Sequence, residues 1–263
     1  MKKKHHDDTR VKRFKDLPRK PVCQCDVSCK NAPLKGKPWC KVHENNCSLG
    51  PTNGYEPPLE IDYWNKTYAL RESHNCLAYA LNKIDNDLIE QCNEPSCPTK
   101  FPQPGYEAGY KNFSDQPKKC CADMVLRMKG DNPKISPIPF EKKCPRKTSK
   151  IALIVDPKRD YHYLRQDPDG KWSHKPGSLI VKREDSSGSE ILRPDRAVFM
   201  YSSKQDPLEY IYFCGYYCVP RRSPLYMSTR VKRGGSSASR KPTRTRRYWK
   251  TRRREKQRGG ATL

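Results

Sequence analysis

At 263 residues the chain has room for one large domain or for a medium domain with appendages, and its net charge of +25 at pH 7 is concentrated at the two ends. No apolar stretch approaches the ~20 residues of a membrane span, and MKKKHHDD is followed by more charge, not by a signal-peptide apolar run; the sequence argues against a membrane protein and against secretion. In the reducing compartment that this implies, thirteen cysteines point to metal ligation and thiol chemistry before disulfides.

Residues 1–22 hold 9 basic against 3 acidic side chains and read as a basic disordered arm. Residues 23–50 read as a small zinc-like module. The stretch CQCDVSCKNAPLKGKPWCKVHENNC sets Cys23, Cys25, Cys29, Cys40, His43 and Cys47 around a Lys-Gly-Lys-Pro turn, with too few aliphatic residues to build a core. Metal ligation supplies the missing stability, and Zn²⁺ takes four Cys or His ligands in a tetrahedron. Two close pairs separated by a short loop favour Cys25, Cys29, Cys40 and His43 as ligands of a structural zinc ion, with Cys23 and Cys47 as alternates.

Residues 55–219 have globular texture. In ESHNCLAYALN, Ser73 is a natural N-cap for a short apolar helix over about 74–84, which places Cys76 in the first turn, where the helix end favours a thiolate. The Pro- and Gly-dense CNEPSCPTKFPQPGYEAGY reads as an ordered surface loop. A second helix is expected over 115–130, with Asp115 near its N-cap, Pro117 in its first turn, Cys120 and Cys121 as flank and core residues, and Gly130 as its stop. Strand-like runs follow at 150–156, 160–166, 171–175, 178–182, 196–202 and 208–218, where Cys214 and Cys218 read as packed. Helices first and strands afterwards, without regular alternation, predict an α+β domain with an antiparallel sheet.

The hairpin DYHYLRQDPDGKWSHKPG carries the most specific expectation. Asp167-Pro168-Asp169-Gly170 suits a type I turn closed by a glycine bulge, which sets Asp167 against Lys171 and Leu164 against His174. His162 and His174 then share a sheet face as diagonal neighbours ~7–8 Å apart at the backbone, while Arg165 and Trp172 are assigned to the other face. A thiol at a helix start with two imidazoles downstream is the residue set of thiol-nucleophile catalysis: Cys76 attacks, His162 is the base and His174 orients it, with Asp160 or Asp156 as substitutes in that third role.

From Pro220 onward 16 basic residues oppose the single Glu255. The stretch RTRRYWKTRRREKQRGG is rich in Arg and poor in aliphatics and predicts a disordered basic tail over 220–263. Such an arm binds nucleic acid or another polyanion without sequence preference, through Arg244, Arg246, Arg247, Arg252, Arg253 and Arg254, with Trp249 and Tyr248 available for stacking. A localisation or solubilising role fits the same charge run.

The order Cys at a helix start, strand opening with His, turn, and second His resembles NlpC-type cell-wall peptidases and other papain-like hydrolases. That resemblance implies a papain-like α+β fold and a thiol-dependent amide or peptide hydrolase with a Cys76–His162–His174 triad. The Cys/His module and the basic tail also resemble elements of proteins of nucleocytoplasmic large DNA viruses, implying a viral origin, virion proteins as partners, and residence in host cytoplasm, nucleus or virion. The alternative expectation is a non-enzymatic virion or DNA-associated protein on a degenerate papain-like fold.

Overall fold

The run Ile151–Val155 is unbroken apolar sequence, and the strand around it, Thr148–Asp156, is buried on both faces, as a central strand requires. Around it a computed structural model of the chain describes residues 14–112, 120–201 and 207–232. Among the described residues there are eight strands, β1 (Lys15–Asp16), β2 (Ser136–Ile138), β3 (Thr148–Asp156), β4 (Asp160–Gln166), β5 (Trp172–His174), β6 (Met200–Tyr201), β7 (Leu208–Glu209) and β8 (Tyr212–Pro220). The helices are α1 (Ile61–Asn65), α2 (Tyr68–Ser73), α3 (Cys76–Leu81), α4 (Asn86–Glu90) and α5 (Cys121–Asp131). The main sheet runs β1-β8-β3-β4-β5, with β2 also on β8, and every pairing in it is antiparallel. The fold is α+β, as the sequence predicts.

Side chains alternate across the sheet with the two-residue period of a strand, and the core divides accordingly. Ile151, Leu153, Val155, Tyr161, Tyr163 and Tyr217 face α3 and α5, where they meet Cys76, Leu77, Leu81, Met124 and Met128. Ala152, Ile154, Leu164, Trp172, Phe213 and Tyr216 face the opposite way, against Phe140, Ile191 and Phe199. Strand β8 switches parity at a bulge: Leu153 pairs with Gly215 but Ile154 pairs with Phe213, leaving Cys214 unpaired. Gly215 sits there at φ +128°, a conformation that disfavours any side chain.

The hairpin has the expected register. Gly170 has φ +85°, its N–H donates to the Asp167 carbonyl, Asp167 pairs with Lys171, and Leu164 lies opposite His174. Other expectations need correction. Asn75, not Ser73, caps α3: its side chain accepts from the N–H groups of Leu77 and Ala78, while Ser73 ends α2 and donates back to the Ala69 carbonyl. The helix expected over 115–130 starts at Cys121 and runs through Gly130 to Asp131; Asp115 and Pro117 lie outside the described residues. Residues 178–182 form no strand and touch β5 only through the bridge between His174 and Lys182. Trp172 shares a face with His174, two residues away in the same strand, and only Arg165 takes the other.

The ends are also less separate than expected. Lys15 and Asp16 pair with β8 and Leu17 is buried. Arg221 lies under α3, and Gln103 pairs with Ser228, so the described part of the tail runs over the domain. Arg244, Arg246, Arg247, Trp249, Arg252, Arg253 and Arg254 lie outside the described residues.

Candidate functional site

The Cys/His module has no hydrophobic core of its own: over residues 23–50 only Cys23, Gln24, Pro38, Cys40 and Gly50 are buried. Cys23, Cys29, Cys40 and His43 offer ligand atoms that all lie within 4.8 Å of one another. Cys29 Sγ is 3.7 Å from Cys40 Sγ, His43 Nδ1 is 3.2 Å from Cys40 Sγ, and Cys23 Sγ is 3.4 Å from His43 Nδ1. A tetrahedral ion with zinc-like bond lengths sets sulfurs about 3.8 Å apart and sulfur from nitrogen about 3.5 Å apart, so this donor set is already close to ligating geometry. His43 belongs to a short 3-10 turn, Lys41–His43, that begins directly after Cys40 and brings its ring back onto that sulfur.

The Cys40 N–H donates to Cys23 Sγ at 3.4 Å, and the His43 N–H donates to the Cys40 carbonyl at 3.0 Å. Burial opposes ionisation of Cys40, but hydrogen bonds from His43 and Cys23 outweigh it and bring the thiol down to about 6. Burial pushes the Cys29 thiol up. The Cys/His group therefore differs from the expected ligand set at a single position. Cys25 is joined to Cys47 in a disulfide, because the chain bends at Gln24 and Cys25 and sends the two neighbouring cysteines different ways. Cys23 takes its place, and Cys47 is not available as an alternate.

Three further disulfides, Cys92–Cys97, Cys121–Cys214 and Cys144–Cys218, bring the paired cysteines to eight of thirteen. The expectation that cysteines serve metal and chemistry before disulfides is corrected for these. Cys214 and Cys218 are buried, as expected of packed residues, but each is bonded to a partner.

The two histidines meet as the hairpin register requires. His174 Nε2–H donates to the Glu184 carbonyl at 2.9 Å, so its Nδ1 accepts from His162 Nε2–H at 2.8 Å. Both rings are buried among Tyr210 and Phe199. Burial drives His162 well below the usual imidazole range, helped by His174, and takes His174 down to about 4, so the pair is neutral near pH 7.

Cys76 is not with them. Its helix packs on the face presented by Tyr161 and Tyr163, whereas His162 and His174 lie on the face of Leu164 and Trp172. The sheet stands between the thiol and both imidazoles. Cys76 is 4% exposed, and burial, followed by the nearby Asp160 carboxylate, pushes its thiol up to about 12. The strand period explains the separation: a helix-facing base in β4 would need an odd-numbered position, and Tyr161, Tyr163 and Arg165 occupy those.

No family model matches this chain, and no solved structure matches it. Insoluble matrix shell protein 1 of Ruditapes philippinarum is 47% identical to this chain over 47 residues, 18% of this chain and 32% of that protein. The chain thus spans about a third of the length of the curated relative it matches.

Two residues that tie the module to the domain were not anticipated. Gln24, buried, accepts from the N–H groups of Leu192 and Arg193 and donates to the Glu190 carbonyl. Arg196 donates to carbonyls of the module. More than 160 residues separate these partners in the chain, and no spacing rule in the sequence links them.

Proposed function

We propose that this chain is a non-catalytic structural protein: a disulfide-stapled α+β domain carrying a structural zinc ion at Cys23, Cys29, Cys40 and His43, with a basic C-terminal arm that engages polyanions. The observation that carries the reading is the separation of Cys76 from His162 and His174 by the sheet. A thiol pushed up to about 12 is a poor nucleophile, and a base must come within hydrogen-bond reach of the proton it removes. What supports a papain-like ancestry is the helix-borne Cys76 ahead of an antiparallel sheet; here that layout serves packing. The partial likeness to an insoluble shell-matrix protein and the four disulfides favour a scaffold role in an oxidising setting. Zinc is the ion favoured by three thiolates and one imidazole at tetrahedral spacing.

Treating the native protein with a thiol-directed electrophile and a panel of amide substrates tests the first half. The expected result is no turnover and no modification of Cys76; hydrolysis abolished by Cys76→Ala in a folded protein would reverse the conclusion. Metal analysis after gel filtration without chelator should return one zinc per chain. The tail, with 16 basic residues against Glu255 from Pro220 onward, should bind any polyanion with steep salt dependence. A chain ending at residue 232 should lose most of that affinity, and unchanged binding would move the contact onto the domain.

A further inference from the structure

Arg196 lies in a 3-10 turn, Pro194–Arg196, on the sheet side of the molecule, yet its guanidinium points into the Cys/His module. Nε and Nη2 both reach the Cys23 carbonyl, at 3.0 and 2.8 Å; Nη2 also reaches the Cys29 carbonyl at 2.6 Å, and Nη1 the Val27 carbonyl at 2.8 Å. Two of these three carbonyls belong to the first two metal-facing cysteines, and Val27 lies between them. A planar fork with fixed donor directions is suited to holding several acceptors in one arrangement, which the single ammonium of lysine cannot do.

The charge is also placed to a purpose. Three thiolates, a neutral imidazole and a divalent ion sum to one negative charge, and a guanidinium held against the backbone of two ligands offsets it. Gln24, between Cys23 and Cys25, is bonded on the other side to residues 190, 192 and 193, so the segment leading to Arg196 is registered against the same loop.

We propose that Arg196 is the positioning residue of the metal centre, holding the Cys23–Cys29 loop in ligating geometry before the ion arrives and balancing the charge of the loaded site. This rests on the metal reading given above. Outer-shell partners of this kind raise metal affinity by about 10–100-fold through orientation of the ligands.

The test uses the full chain with its disulfides intact, stripped of metal by a chelator and titrated anaerobically with Co²⁺, then with Zn²⁺ in competition. The wild type should develop thiolate-to-cobalt charge-transfer absorption and the ligand-field bands of a tetrahedral ion. Arg196→Ala should bind both ions about 10–100-fold more weakly while reaching the same spectrum at saturation, because the ligands are unchanged. Arg196→Lys, which keeps charge but not the fork, should fall between the two.

Thermal unfolding with and without Zn²⁺ separates positioning from general stability. Positioning shrinks the zinc-induced rise in Tm, whereas a purely structural role lowers both curves equally. Wild-type affinity in the variants overturns the proposal. If Arg196→Ala does not fold, Arg196→Lys decides it, and an unchanged zinc affinity there overturns it equally. A wild-type chain that binds neither ion overturns the metal reading, and the proposal with it.

Discussion

At the scale of single residues the decisive quantity is where each titratable group stands relative to water. Cys76 is buried while Cys120, at the N-cap of α5, is exposed, so iodoacetamide at neutral pH should alkylate Cys120 in the native protein and reach Cys76 only after denaturation, which peptide mass spectrometry reads directly. The histidine pair makes a pH prediction. His174 titrates in the folded state at about 4 and His162 well below the ordinary imidazole range, both chiefly because burial disfavours the charged ring. The unfolded chain therefore binds protons that the folded chain refuses. Stability is complete above about 6.5 and falls as pH drops toward 4, by up to about 1.4 kcal/mol per histidine for each pH unit. Asp131 and Asp167, raised to about 6 by burial, act in the opposite sense between about 3.8 and 6. His162→Gln removes the His162 share alone, because its amide can still donate to His174 Nδ1 while His174, the buried His74, also lowered to about 4, and the two aspartates are unchanged. Urea midpoints at pH 7 and pH 5 should differ less in the variant than in the wild type; an equal difference would mean that the pair is hydrated.

At the scale of elements, α3 illustrates how short helices survive by borrowed partners. Six residues cannot hold a helix alone, and its C-terminal carbonyls need donors. Arg221, from the chain just past β8, supplies them: Nη1 to Leu81 O at 2.6 Å and Nη2 to Ala80 O at 2.9 Å, while Nε binds Ser149 Oγ. Arg221→Ala orphans two buried carbonyls at about 1–3 kcal/mol each, and should lower Tm by several degrees in calorimetry while leaving the far-ultraviolet spectrum of the sheet intact. The sequence had shown α3, the hairpin and the strands β3 and β4 because each is written in local chemistry: an apolar run behind a cap, a Pro-Asp-Gly turn, and the apolar Ile151–Val155 and aromatic-rich Tyr161–Leu164 stretches on either side of a tight connection. It also showed which face His162 and His174 share, since turn geometry fixes register. It could not show which face α3 would choose, and that choice separates Cys76 from them. It had likewise marked Cys29, Cys40 and His43 through their spacing, but Cys23 against Cys25 turned on a disulfide to Cys47 and on a Gln24 contact with residues far along the chain.

At the scale of the whole molecule, disulfides fasten to β8, and one more within the module, what hydrophobic burial alone holds weakly. Cys121–Cys214 and Cys144–Cys218 tie α5 and the approach to β3 onto β8 across 93 and 74 residues. Loop closures of that length stabilise by about 4 kcal/mol each in the chain-entropy account, so the paired substitution Cys144→Ser with Cys218→Ser should cost that order in urea unfolding. The module poses a sharper question, because the proposed metal would add a third fastener to the Cys25–Cys47 disulfide and the docking of Gln24 and Arg196. The disulfide closes a loop containing Cys29, Cys40 and His43, yet leaves Lys30, Lys35 and Lys41 exposed to a protease whenever the loop opens. Zinc at about 100 times its Kd suppresses such opening about 100-fold. Trypsin should therefore cut the chelated protein within residues 30–42 far faster than the zinc-loaded one. The products should stay joined until the disulfide is reduced, while the sheet domain remains whole. Equal cutting rates with and without zinc would mean that the disulfide and the Gln24 and Arg196 contacts hold the loop by themselves. Slow cutting restored by zinc but not by magnesium would identify thiolate ligation as the third fastener, since magnesium prefers oxygen ligands.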